Sequence, residues 1–126
     1  MFCVVLVVFI SVFYYNANQK RKDLAEVLLF DKFPKKVNIE SFEKEDFFEY
    51  KITAEISYSD PQLLDVILSQ RAFTKKNILN SPFISSKPIS LHTWSSGQKW
   101  LEIYELKPDK DNGKYRLGLV YVSNAL

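Results

Sequence analysis

Within FFEYKITAEISY at 47–58, every second residue from Phe48 is apolar or small: Phe48, Tyr50, Ile52, Ala54, Ile56 and Tyr58. Glu49, Lys51, Thr53, Glu55 and Ser57 fill the positions between. A strand sends successive side chains to opposite faces, so the pattern predicts a long β-strand over Phe47–Tyr58 with one buried face and one wet face. Val37–Phe42 alternates Val37 and Ile39 with Asn38 and Glu40, which predicts a strand ahead of it. The charged run Glu43–Asp46 is then a hairpin connection.

Three more strands are expected downstream, at Pro88–Trp94, Lys99–Lys107 and Lys114–Val122. In the last, Tyr115, Leu117, Leu119 and Tyr121 share one face, while Val120 and Val122 lessen the polarity of the other. Ser95–Gln98 and Pro108–Gly113 read as turns, with Gly97 and Asn112-Gly113 supplying the special backbone conformations. Trp100, Tyr104 and Val120 give the second face of these later strands some apolar character.

Helical spacing occurs twice. Leu24, Val27, Leu28 and Leu29 form a stripe within Asp23–Phe33, which Pro34 ends. Asp60 as N-cap and Pro61 at the first position open a helix from about Pro61 to Phe73. Its stripe holds Leu63, Leu64, Ile67 and Leu68 and should lie on the apolar face of Phe47–Tyr58. Thr74–Lys87 shows no regular pattern; a short helical turn or a functional loop is expected there.

The N-terminus breaks the pattern. Met1–Tyr15 is apolar except for Ser11. Fifteen helical residues reach about 22 Å, and the uncharged Asn16–Gln19 would extend them toward the headgroups. Residues 1–19 are expected to form a hydrophobic membrane anchor, with Val4, Leu6, Phe9, Ile10 and Phe13 in lipid and Tyr14 and Tyr15 at the interface. Lys20, Arg21 and Lys22 would touch lipid headgroups, making membrane lipid a partner of this end. A cleaved signal peptide and a buried core segment are the alternatives; a basic n-region and a small-residue cleavage site are missing from the stretch. Residues 20–35 read as a stalk helix and linker, and 36–126 as the folded domain.

Charge gives an orientation. Of 17 basic and 15 acidic side chains, three and one fall at Lys20–Asp23, so residues 24–126 keep 14 of each. The basic cluster after the apolar run puts the domain in the cytoplasm by the positive-inside rule. A basic segment upstream of Met1 would reverse that sign and place the domain in the periplasm or outside the cell. A neutral domain is also a poor match for nucleic acid, and no nucleic-acid partner is expected. The lone Cys3 offers neither a disulfide framework nor a thiolate metal site.

Candidate chemistry is sparse. His92 is the one histidine, which rules out a two-histidine metal site, and no serine–histidine–acid order accompanies it. Proximity to Trp94 and Glu102 would suit a proton-transfer group, but an edge-strand or surface histidine is expected. Glu49, Glu55, Glu102 and Glu105 fall on strands, where alternation predicts a solvated sheet surface rather than paired acids. Asp109–Gly113 resembles a calcium loop only faintly and reads as a hairpin turn. Trp94 and Trp100 flank the Gly97 turn; together with His92 and Phe83 they form the candidate binding patch.

The expected fold class is α+β: a two-layer domain in which an antiparallel sheet (β-β-α-β-β-β) carries one helix, preceded by the hydrophobic anchor helix. The expected function is a small single-pass, membrane-tethered, non-enzymatic domain that binds a protein, with no cofactor and no metal. A small-molecule sensor with a cavity lined by Phe83, Trp94 and Trp100 is the alternative. So is a secreted or periplasmic inhibitor or immunity-type protein released by signal cleavage.

Overall fold

The computed structural model describes residues 16–83 and 87–124. It divides into two compact units, Met1–Pro34 and Lys35–Leu126.

In the first unit, residues 16–28 are helical (α1). The helix stops without a glycine. Leu29 takes a left-handed conformation at φ 60°, while Phe30 N–H donates to the Ala25 carbonyl at 2.8 Å and Leu29 N–H to that of Glu26 at 3.3 Å. These are the paired bonds of a Schellman ending, which here places a leucine where glycine is usual. The chain then turns back. Arg21 Nη2 donates to the Pro34 carbonyl at 2.6 Å, and its guanidinium lies 4.8 Å from the Phe33 ring centre.

The second unit is one antiparallel sheet of six strands with a helix, so the α+β class holds with one strand more than expected. The elements are β1 (Asn38–Glu45), β2 (Tyr50–Tyr58), α2 (Leu63–Ser69), β3 (Thr74–Lys76), β4 (Pro88–Ser96), β5 (Lys99–Leu106) and β6 (Tyr115–Ser123). Their order across the sheet is β1-β2-β6-β5-β4-β3. The long strand β2 thus pairs with β1 on one side and with the last strand on the other.

Directly opposed residues in antiparallel strands share a face. Ile52, Ala54 and Ile56 stand opposite Tyr121, Leu119 and Leu117, and Leu119 opposite Ile103. This first face is the one that alternation in β2 and β6 predicts, and all but Tyr121 of these residues are fully buried. Helix α2 lies on the same side: Arg71, just past its end, places its guanidinium 4.5 Å from the Trp94 ring centre. The helix is shorter than Pro61–Phe73. Asp60 Oδ1 accepts from Gln62 N–H at 2.9 Å, so the acid closes a turn before the helix and Gln62, with no side-chain cap, opens it.

The second face is where Thr74–Lys87 belongs. Its described residues, up to Phe83, hold no helical turn; they supply edge strand β3 and then an irregular strap bearing Ile78 and Phe83. Phe83 packs with Leu91, Tyr104, Leu106, Val120 and Val122 in a second core, its ring edge-on to Tyr104 at 5.4 Å. Gly118 makes room for it. A Cβ there would lie 2.4 Å from Phe83 Cε2.

Two other expectations are corrected. Pairing of β1 with β2 ends at Glu45 opposite Lys51, so Glu43–Glu45 are strand and the connection is 46–49. Phe48, expected on the buried face, therefore lies beyond the sheet and is 87% exposed. Glu55, expected on a solvated face, is buried. Glu55 stands opposite Gly118 in the register, the position over which the Phe83 ring lies. Arg116 Nη2 comes within 2.9 Å of Glu55 Oε1, an ion-pair contact whose N–H is not aimed at the oxygen.

Candidate functional site

His92 lies on the first face, opposite Ile103. Its partners are Ser90 and, through it, Glu105. Ser90 Oγ donates to Glu105 Oε2 at 2.8 Å and lies 3.3 Å from His92 Nε2. With the hydroxyl proton committed to Glu105, His92 meets the oxygen as an Nε2–H donor. Burial first, and then Lys75 across the strand pair, push the His92 pKa below its usual 6.5; Glu105 opposes them. The imidazole is therefore neutral at pH 7. Serine stands in the middle of this chain, whereas a nucleophile needs histidine in the middle to take its proton. Ser90 is buried as well.

Glu102, which lies near His92 in sequence, is on the other face. It accepts from Tyr104 O–H at 2.7 Å. Burial, and then this carboxylate, raise the Tyr104 pKa. Tyr58, buried beside Tyr115 with the rings 5.5 Å apart, has its pKa pushed up to about 12, chiefly by burial. Among the described residues no group of three or more His, Cys, Asp or Glu is placed to hold a metal. The 109–113 turn is closed by its own bonds: Asp109 Oδ1 accepts from Asp111 N–H at 2.8 Å and Asn112 Oδ1 from Lys114 N–H at 2.9 Å.

The residues of the candidate patch do not meet. Trp94 is opposite Leu101 and Trp100 opposite Ser95, so the two indoles point to opposite faces. His92 and Trp94 share the α2 side; Phe83 and Trp100 share the other. A single cavity lined by Phe83, Trp94 and Trp100 would have to pass through the sheet. Phe83 is buried and Trp100 partly open.

The proposed lipid-contacting residues also differ from one another. Lys20 and Lys22 are exposed, while Arg21 is turned onto Pro34 and Phe33. Val4, Leu6, Phe9, Ile10, Phe13, Tyr14 and Tyr15 lie outside the described residues. No helix among the described residues is long and apolar enough to cross a membrane.

Strand periodicity concealed an exposed aromatic pair. Phe47 and Phe48, at the tip of the β1–β2 hairpin, are each 87% exposed. Their rings touch edge to face, 4.8 Å apart at 82°. Glu45, Asp46 and Glu49 surround them, so residues 45–49 carry three carboxylates and no cation. An open hollow of about 350 Å³ is lined by Glu45, Phe47, Phe48, Glu49 and Asn124. The charged run Glu43–Asp46 was the available signal: a hairpin whose polar residues lie in the edge strand must put other residues in its turn.

No family model, curated protein or solved structure matches the chain. The candidate site therefore rests on its own geometry. That geometry consists of an aromatic pair held out on a two-stranded hairpin, with β2 fixed in the sheet by pairing with β6 along its whole length.

Proposed function

We propose that this chain is a small, non-enzymatic, protein-binding domain, held at a membrane by its apolar N-terminus. The exposure of Phe47 and Phe48 carries the reading. Two adjacent phenylalanines in water oppose the hydrophobic effect, each forgoing roughly 1.5–3 kcal/mol available on burial. They also lie on a hairpin, where a polar turn would be the ordinary choice. Aromatic anchors of this kind are typical centres of protein contacts. The non-enzymatic part is supported by Ser90, whose proton is held by Glu105 within a buried cluster. The membrane part is supported by Met1–Tyr15 and the exposed lysines after it, and the basic flank favours the cytoplasmic side.

Photo-crosslinking in cells tests the contact. Benzoylphenylalanine at position 48 of the full chain is expected to give a discrete protein adduct. The same group at Leu79, equally open at 88% exposure but on the strap, is expected to give none. Adducts from Leu79 alone would contradict the reading.

A further inference from the structure

We infer that the partner receives the 46–49 tip in an apolar pocket rimmed by lysine or arginine, and that one rim side chain enters the hollow beside the two rings. This rests on the reading of the tip as a protein contact. Perpendicular rings present a broad, stepped apolar surface, which fits a pocket better than a narrow slot. Around that surface the tip offers Glu45, Asp46 and Glu49. Lys51 stands opposite Glu45 at the base of the tip, so a neutral or acidic rim would leave chiefly Asp46 and Glu49 desolvated with no cation in the turn, which is costly.

The hollow narrows the choice further. Its lining residues are the two phenylalanines, Glu45, Glu49 and Asn124. That is the lining a long cationic side chain requires: rings for its stem and for cation–π contact, acids for its head. Other occupants fit less well. Two tips of this chain meeting would bring six carboxylates together. A cytoplasmic leaflet is itself anionic and would repel the tip.

The experiment uses the full chain in isolated native membranes, with benzoylphenylalanine at position 48. Adduct yield is followed from about 50 to about 500 mM salt, a range over which screening shortens several-fold. It is also followed in an Asp46→Lys/Glu49→Lys variant, whose two sites lie outside the paired strands; circular dichroism checks that the variant is folded. The expected result is a protein adduct whose yield falls at least five-fold in each case, with lysine or arginine in the labelled peptide. A protein adduct indifferent to salt and to charge reversal would overturn the basic rim while leaving the protein contact standing. A lipid adduct, a self-adduct or no adduct at all would overturn both.

Discussion

Replacing Gly118 by alanine adds one carbon, and the carbon has nowhere to go. It would lie 2.4–2.6 Å from three atoms of the Phe83 ring. The flanking strands β2 and β5 pair with β6 on both sides, so the backbone cannot yield cheaply. Either the ring leaves or the core is overpacked. Ejecting the ring costs what deleting it costs, about 3–5 kcal/mol for a buried phenylalanine cut to alanine. Overpacking with local shifts costs about 1–3 kcal/mol. Gly118→Ala should therefore destabilise by about 2–4 kcal/mol, and by no more than Phe83→Ala. In the double variant the added methyl group enters the space the ring has vacated. Its cost should match that of Phe83→Ala alone, so the coupling is as large as the whole effect of the glycine change. Urea unfolding of the full chain in non-ionic detergent, followed by tryptophan fluorescence, measures all four states of the cycle. Additive costs, or a harmless Gly118→Ala, would refute the claim that the strap seals the second face through this contact.

Three further substitutions address other parts of the fold. Leu29→Gly should stabilise by roughly 0.5–1 kcal/mol, because a left-handed leucine carries about 1–2 kcal/mol of strain that glycine avoids at some entropic cost; a lowered unfolding midpoint would contradict this. Arg116→Met should cost up to about 3 kcal/mol by stranding the buried Glu55 carboxylate, and adding Glu55→Gln should recover part of the loss. The folded state holds His92 below its ordinary pKa of 6.5, so its contribution is complete above that value and lost as pH falls. Unfolding midpoints should drop as pH falls below about 6.5, and His92→Gln should flatten that part of the profile; an unchanged profile would show that the histidine does not report on folding.

Strand periodicity found β2, β5 and β6 because each has a face that is buried along its length: Ile52, Ala54 and Ile56, Leu101 and Ile103, Leu117 and Leu119. It placed β1 too short, since an edge strand can carry Glu43, Lys44 and Glu45 without penalty, and charge then looks like a turn. It missed β3, whose three residues are all exposed and leave no alternation to read. Phe83 was legible as apolar but not as the cover of Gly118, a contact across many residues of sequence. The candidate patch failed on parity. Trp94 and Trp100 flank a two-residue turn, and the register between them decides their faces. The aromatic tip was hidden because Phe48 continues the alternation of β2 one step past the end of its pairing.

The most direct measurement combines folding and contact in one variant, Phe47→Ser/Phe48→Ser. Lys44 and Lys51 flank the tip on the two strands, so an amine-reactive crosslinker applied to native membranes can join them to a basic partner. The expected result is an unfolding midpoint within about 0.5 kcal/mol of the parent, as for ordinary surface changes, together with loss of the lysine-linked adduct. A cost of several kcal/mol would mean that the two rings belong to the core, and an undiminished adduct would mean that the partner binds elsewhere.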